Sequence, residues 1–217
     1  MIKIDETLFN TYQPIQLGCI EFTCTIEKEN EEFWKDMHET IIPSVQEKIA
    51  GKEWNQIDGI KGSRLAYKAF GRNPGRYRVS SESLLRRIKR NDELYHINSI
   101  VDINNYISIQ SGFSVGSYDL DKIQGDILFR KATQNEGYTG IGKDFLDMEN
   151  MLVLVDEQGV FGSSMSDSTR CMVTNDTKHV LVVIYCFEKS DLESLLEFSV
   201  QAFKKYGNVE NISSYIK

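Results

Sequence analysis

The run from Val180 to Phe187 is the sequence feature that most constrains the fold. Its residues are apolar at both odd and even positions, and a strand of this kind buries both of its faces. It therefore predicts a central strand with a packed layer on each side. Residues 15–26 alternate between apolar and polar side chains, which predicts a second strand. Cys19 and Cys24 lie five positions apart in that segment, so we expect buried thiols on opposite faces.

Helical spacing of apolar residues predicts helices at residues 33–49, 65–70 and 80–90. Pro43 is expected to bend the first of them. A last helix at 190–206, ended near Gly207, is predicted to close the chain. Short apolar segments separated by Gly and Asx residues predict further strands. These segments are Ile100 to Ile109, Gly125 to Arg130, Met151 to Asp156, and His179 to Phe187. The absence of repeats and long linkers predicts a single α+β domain over residues 1–217.

Composition excludes several classes of protein. No segment approaches the roughly 18 consecutive apolar residues of a membrane span, and the first residues lack the pattern of a secretory signal. The four cysteines show no zinc-site spacing. We therefore expect a soluble cytoplasmic protein without a metal or other cofactor, a disulfide framework or a membrane partner.

Charge is distributed unevenly along the chain. The net charge is −7, but residues 61–90 hold ten basic side chains and one acidic one, a local charge of +9 that leaves −16 for the other 187 residues. Such asymmetry orients a polyanion toward one face. The alternative is a solvated helix face whose arginines bind loop carbonyls and complement the helix dipole. The candidate RNA-binding residues are Arg72, Arg76, Arg78, Arg86, Arg87, Lys89 and Arg90.

Four short segments carry a resemblance to a known family. They are Arg-Tyr-Arg-Val-Ser-Ser-Glu-Ser-Leu-Leu-Arg-Arg at 76–87, Val-Asp-Ile-Asn-Asn-Tyr at 101–106, Tyr-Asp-Leu-Asp-Lys-Ile at 118–123, and Thr-Asn-Asp-Thr-Lys-His-Val-Leu at 174–181. In this order they resemble the tRNA-binding and editing domain, the B-three/B-four region, of the β subunit of phenylalanyl-tRNA synthetase. The resemblance covers about residues 64–187, with the N-terminal strand and helix and the C-terminal helix as additions.

The resemblance implies a three-layer α+β fold in which helices flank a β-sandwich of unusual topology. It also implies tRNA or aminoacyl-tRNA as a partner, rather than DNA. The family domain hydrolyses tRNA that carries tyrosine in place of phenylalanine, which adds a second selection step. No motif of an aminoacylation domain is present, so the ligase activity of the synthetase does not carry over.

The resemblance also nominates pocket residues. Asn104 and Asn105 fall at the family's Thr-Asn pair, where amides can hold a water or a substrate amino group; capping of strand ends and turns is the alternative. Gly116 stands where the family's Pro-Met-His-Ala-Phe-Asp segment has histidine, so no catalytic residue can be assigned. Asp167 is the acid nearest to the family's glycine-rich segment with its glutamate.

Other chemistry-bearing residues have structural interpretations. Asp119 and Asp121 are expected to fix the turn before Lys122, and the three histidines show neither a catalytic-triad nor a metal-ligand pattern. Three functions stay open at this point: a deacylase that clears mischarged tRNA, a non-catalytic RNA-binding module, and a sensor of a free amino acid. The oligomeric state is not predicted.

Overall fold

The computed structural model covers residues 1–217 and contains six α-helices and ten β-strands. The strands are β1 Ile2–Ile4, β2 Gln16–Thr25, β3 Ser114–Asp119, β4 Ile127–Lys131, β5 Gly137–Thr139, β6 Phe145–Asp147, β7 Leu152–Asp156, β8 Gly159–Ser163, β9 His179–Cys186 and β10 Asn208–Ile216. The helices are α1 Glu31–Asp36, α2 Ile42–Ile49, α3 Ile60–Ala69, α4 Ser80–Lys89, α5 Ser99–Ser111 and α6 Leu192–Tyr206. The predicted α+β class is confirmed.

The central sheet has the order β10–β2–β9–β3 and is antiparallel throughout. Every residue of β9 after His179 is buried, because the strand has a neighbour on each edge and a packed layer on each face. Its prediction as a central strand is confirmed. The strand predicted at residues 15–26 is β2.

Two cores lie on opposite faces of the central sheet. Helices cover one face, where 29 buried residues form the helix-side core. The outer sheet, with the order β1–β4–β7–β8, covers the other face, where 26 buried residues form the sandwich core. Cys19 belongs to the sandwich core and Cys24 packs against the helix-side core, as their odd separation predicts. Helices, central sheet and outer sheet are the three layers.

The segment 100–109 is helical, so its prediction as a strand was wrong. Asn98 caps α5 by accepting a hydrogen bond from the Val101 amide, and Gly112 ends it in the left-handed conformation at φ 81°. Eight of its 13 residues are buried, because the helix packs against β3, α4 and α6 at once. Burial on several sides removes the one-faced apolar pattern that identifies a helix from sequence.

The sequence predicts that the chain closes with a helix, and this prediction was wrong. Asp191 caps α6 by accepting from the Ser194 amide, so the helix begins at Leu192 rather than at 190. After Gly207 the chain turns into β10, which pairs with β2 at the edge of the central sheet. A bulge between Glu210 and Ser213, with Asn211 at φ 52°, interrupts its pattern and hides the strand in the sequence.

The first helical stretch is continuous but irregular. Between α1 and α2 it forms a π-helical turn at Met37–Ile41, in which the Ile42 amide donates to the Met37 carbonyl. Pro43 lies one residue after Ile42's donor position and supplies no amide of its own, so it falls in the first turn of α2 directly after the irregular turn. None of the six helices is long and apolar enough to cross a membrane.

Candidate nucleic-acid interface and polar chamber

The basic segment surrounds α4, and its N-terminus is fixed where the two sheets meet. The Ser80 amide donates to the Ser164 carbonyl at 2.8 Å, and the Ser81 amide donates to the Ser114 hydroxyl at 3.3 Å. Val79, not a serine, occupies the N-cap position. Leu85 is buried in the helix-side core, so the basic side chains of α4 are left on its outer side. We call residues 72–90 the basic face.

Glu82 forms ion pairs with two of the basic side chains inside the protein. Its carboxylate is fully buried and accepts two hydrogen bonds at 2.9 Å from the Arg64 guanidinium. The Arg86 Nε donates to the same carboxylate, also at 2.9 Å. Removal of one partner from a buried ionic cluster leaves a charge without compensation. The orientation of Arg86 is therefore fixed before any ligand arrives.

Aromatic rings lie beside the remaining cations. Arg86 lies 4.5 Å above the Trp54 ring and Lys89 lies 5.2 Å from it. Arg87 lies 4.3 Å above Tyr95, which is 63% exposed. These distances fall within the range of cation–π contacts. The clustering of basic residues does not point to these aromatic residues, because Trp54 precedes the basic segment and Tyr95 follows it.

The seven candidate RNA-binding residues do not form one uniformly open face. Arg76, Arg78, Lys89 and Arg90 are exposed, whereas Arg86 and Arg87 are half-buried. Arg72 is turned inward: it donates to the Tyr77 hydroxyl at 3.1 Å and stacks on that ring, while its Nε and Nη2 atoms are buried without a hydrogen-bond partner. Its Nη2 lies 4.0 Å from the Asp147 carboxylate. The open positive charge is therefore carried chiefly by four side chains.

The candidate pocket residues are divided between the two faces of the central sheet. Asn104 is buried on α5, and its side-chain amide donates to the Val115 carbonyl at 3.0 Å; Asn105 is half-buried. Val115 belongs to the helix-side core. Gly116, the next residue, is turned toward the sandwich core, as Asp167 is through its contact with Tyr118. The two asparagines therefore do not line the same space as Gly116 and Asp167.

The space above Gly116 is occupied by Tyr118. A Cβ atom at Gly116 would overlap with the Tyr118 hydroxyl, and so would one at Gly162 on the facing strand β8. The hydroxyl donates to the Asp167 carboxylate at 2.5 Å and lies 2.6 Å from the Tyr185 hydroxyl. The Tyr118 phenol therefore fills the space that a side chain at position 116 would need.

Further hydroxyl groups extend this buried polar cluster, which we call the polar chamber. The Tyr67 hydroxyl lies 2.6 Å from that of Ser164, and the Tyr138 hydroxyl lies 3.0 Å from that of Ser163 and also contacts the Ser166 carbonyl. The members of the chamber are Tyr67, Tyr118, Tyr138, Tyr185, Ser163, Ser164 and Asp167. It lies between the central and outer sheets, where most neighbouring side chains are apolar.

Electrostatics make Asp167 the titrating group of the chamber. Burial raises the pKa of Asp167 to about 7, and the hydrogen bond from Tyr118 opposes this shift. Burial also raises the pKa of Tyr67 to about 12 and holds the pKa values of Tyr118 and Tyr185 well above their ordinary value. At neutral pH the phenols keep their protons, whereas the carboxyl is close to its midpoint.

The other candidate groups have structural contacts. Asp119 accepts from the Asp121 amide at 3.1 Å and from the Thr177 hydroxyl at 2.7 Å, so the expected turn-fixing role is confirmed for Asp119. The Asp121 carboxylate instead lies 2.8 Å from His179 Nδ1. The His96 ring stacks on Trp34 with 3.5 Å between centroids. No group of three or more His, Cys, Asp and Glu side chains is arranged to hold a metal ion.

Comparison with known proteins identifies a family and relatives that this chain resembles. Residues 62–200 match the B3/4 domain family. Phenylalanine–tRNA ligase β subunits of Rickettsia conorii and Vibrio parahaemolyticus are each 28% identical to the chain, over 61% and 66% of its length. The chain spans less than a fifth of either relative, 19% and 18%.

A solved structure shares the fold. An N-terminal fragment of the phenylalanyl-tRNA synthetase β subunit from Pyrococcus horikoshii covers 96% of the chain with a TM-score of 0.50 and 17% identity, while the chain covers 49% of that fragment. The family match extends over more than half of the chain, from α3 into α6. The fold and the matched range agree with the resemblance predicted from the four motifs, and the chain belongs to the B3/4 domain family.

Proposed function

We propose that this chain binds tRNA through the basic face. The observation that carries the proposal is the placement of Trp54, Tyr77 and Tyr95 beside arginines of that face. Cations attract the phosphate backbone, and aromatic rings offer stacking platforms for unpaired bases. This combination is typical of surfaces that bind single-stranded nucleic acid.

The kind of nucleic acid follows from the same surface. A depression of about 290 Å³ is lined by Trp54, Arg86, Lys89 and Arg90, a size suited to one base or phosphate group rather than to a duplex groove. The single-stranded end of a tRNA fits this chemistry, and the curated relatives are tRNA ligase subunits. The negative charge on the rest of the chain restricts polyanion binding to this face.

Titration of fluorescently labelled tRNA tests the proposal. The double variant Arg78→Ala/Lys89→Ala removes two exposed cations. We expect about tenfold weaker binding and a shallower dependence of log affinity on log salt, by roughly 1 to 2 in slope, between about 50 and 200 mM salt. The matched control is Lys178→Ala/Lys204→Ala, which removes two exposed lysines outside the basic face. Equal effects of the two double variants, or no tRNA binding by the unmodified chain, would contradict the proposal.

Trp54 provides a second measurement. The only other tryptophan, Trp34, is 6% exposed in the helix-side core, so quenching by RNA reports on Trp54. Trp54→Phe should lose the quenching and keep most of the affinity. Trp54→Ala should weaken binding further, since one stacked base contributes about 1 to 3 kcal/mol.

Hydrolysis of a mischarged aminoacyl-tRNA is the second candidate function. It is favoured by Asp167, because a carboxyl with a pKa of about 7 suits a general base near neutral pH. Asn104 and Asn105 would then act from the other side of β3 as supports rather than as lining residues. Incubation with correctly charged and mischarged tRNAs tests it: ester loss at the uncatalysed rate for every tRNA would reject it.

A further inference from the structure

Arg72 has an unpaired set of hydrogen-bond donors beside the basic face. Its Nε and Nη2 atoms are buried without a hydrogen-bond partner, while Nη1 donates to the Tyr77 hydroxyl at 3.1 Å. Nε and Nη2 donate from the same edge of the planar guanidinium. A buried donor that is left unpaired lowers stability, so packing alone does not explain why this edge is turned inward.

Other arginines of the chain show what that edge binds. Arg64 uses Nε and Nη2 to donate two hydrogen bonds at 2.9 Å to the Glu82 carboxylate. Arg90 places the same two atoms 2.9 and 2.8 Å from one oxygen of Asp92. Two-donor contacts of this kind are made with carboxylates and phosphates. The unpaired edge of Arg72 therefore suits an anion that has more than one oxygen atom.

The surroundings of the edge favour a phosphate. The Arg72 and Arg76 guanidinium groups lie 4.7 and 5.5 Å from the centroid of the same Tyr77 ring. The Asp147 Oδ2 atom lies 4.0 Å from Arg72 Nη2, which is beyond hydrogen-bond distance. The Asp147 side chain is 61% exposed, and its Oδ1 atom accepts from the Glu149 amide at 2.9 Å. Two cations thus lie near one carboxylate that does not bind the edge, and a phosphate complements them better.

Asp147 lies in a hairpin that can move relative to Arg72. Its strands, β5 and β6, pair through three residues each and belong to neither of the four-stranded sheets. A two-stranded hairpin has little stability of its own, and the tip of this one, residues 141–145, is exposed. A shift of the hairpin takes the competing carboxylate away from the edge and leaves the contacts between Arg72 and Tyr77 in place.

We propose that Arg72 binds a phosphodiester of the RNA through its Nε–Nη2 edge, and that Asp147 competes for this edge until the phosphate displaces it. The RNA as source of the phosphate rests on the tRNA binding proposed above, whereas the phosphate site itself does not. The exposed cations of the basic face attract phosphate groups without fixing their orientation. Arg72 adds a contact of defined geometry to them.

Calorimetric titration with inorganic phosphate at constant ionic strength tests the site. Asp147→Asn removes the competing charge, and the matched control Asp144→Asn removes an equal charge from another exposed position of the same hairpin. We expect saturable phosphate binding in Asp147→Asn, about fivefold tighter than in Asp144→Asn. Equal affinities of the two variants for phosphate would overturn the inference.

A second substitution tests the edge of Arg72 itself. Arg72→Lys in the Asp147→Asn background keeps the positive charge and loses the two-donor geometry, so it should weaken phosphate binding by about tenfold. Unchanged phosphate binding would overturn the inference. The two asparagine variants change exposed side chains and leave Arg72 in place, so their comparison decides the matter even if Arg72→Lys does not fold.

Titration with labelled tRNA identifies the source of the phosphate. Asp147→Asn should bind tRNA about threefold more tightly than Asp144→Asn, and the difference should disappear in an Arg72→Lys background. Equal tRNA affinities, beside different affinities for inorganic phosphate, would assign the site to a phosphate ion and overturn its assignment to RNA. Absence of tRNA binding by the unmodified chain would contradict the tRNA proposal, whereas the phosphate titration decides on the site independently.

Discussion

The two faces of the central sheet bury different kinds of side chain. The helix-side core is a nearly continuous set of Ile, Val, Leu and Phe residues, whereas the sandwich core encloses the hydroxyls of four tyrosines and the carboxyl of Asp167. One face therefore stabilises the fold chiefly by apolar burial, with separate buried polar groups such as Asp102, which accepts a hydrogen bond from the Trp34 indole. The other holds a connected polar arrangement around Asp167. The difference shows that hydrogen-bonded hydroxyl and carboxyl groups are concentrated on the sandwich side of the central sheet.

The largest expected loss of stability comes from a substitution in the helix-side core. Phe203 is fully buried in the helix-side core, with its ring 4.9 Å from that of Phe22. Phe203→Ala should lower the free energy of unfolding by about 3 to 5 kcal/mol, with little dependence on pH. Urea-induced unfolding measures the change. The control Leu65→Ala, at a 49% exposed position, should stay within about 0.5 kcal/mol; a loss at Phe203 that varied strongly with pH would contradict the contrast.

Asp167→Asn tests whether the carboxyl of the polar chamber makes stability depend on pH. Below about pH 4 the carboxyl is protonated in both the folded and unfolded chains. Between pH 4 and 7 it ionises in the unfolded chain first, because the pKa in the folded protein is about 7. The unmodified chain should therefore lose stability as the pH rises through this window, by about 2 to 3 kcal/mol for a half-buried group. Asparagine does not titrate. The free energy of unfolding of the variant should therefore rise relative to that of the unmodified chain between pH 4 and 7. Parallel pH dependences of unfolding would contradict the assignment.

The smallest effect separates binding from stability on the basic face. Arg90 is exposed and pairs with Asp92 at 2.8 Å, and such surface pairs contribute little. Arg90→Ala should change the free energy of unfolding by less than about 0.5 kcal/mol while weakening tRNA binding several-fold. A melting experiment beside a binding titration makes the comparison. If Arg90→Ala lowered the free energy of unfolding by more than it weakened the free energy of tRNA binding, the exposed cations would have a structural role.

Local sequence patterns predicted the elements that depend on one-sided burial or on a continuous apolar run. β2, β9, α4 and α6 were found in this way. α5 was missed because its apolar residues face several neighbours, although Asn98 and Gly112 mark its two ends. β10 was missed because an exposed edge with a bulge leaves no regular alternation.

The site was harder to predict than the fold. Charge clustering identified the basic face, but the sequence did not reveal that Glu82 binds two of its arginines or that Arg72 turns inward. The polar chamber joins residues from both sheets that are far apart in the chain. Nothing local to Gly116 indicates that Gly162 lies opposite it. Contacts of that kind depend on the packing of the layers, which short-range patterns do not encode.

The position of β9 in the chain also determines when the central sheet can form during synthesis. β2 and β3 both pair with β9, yet both leave the ribosome before it. Non-local pairing of this kind folds slowly and leaves apolar strands exposed in the meantime. The nascent chain must therefore carry two unpaired strands until residues 179–186 emerge, and synthesis of this stretch is the step at which its central sheet can first form.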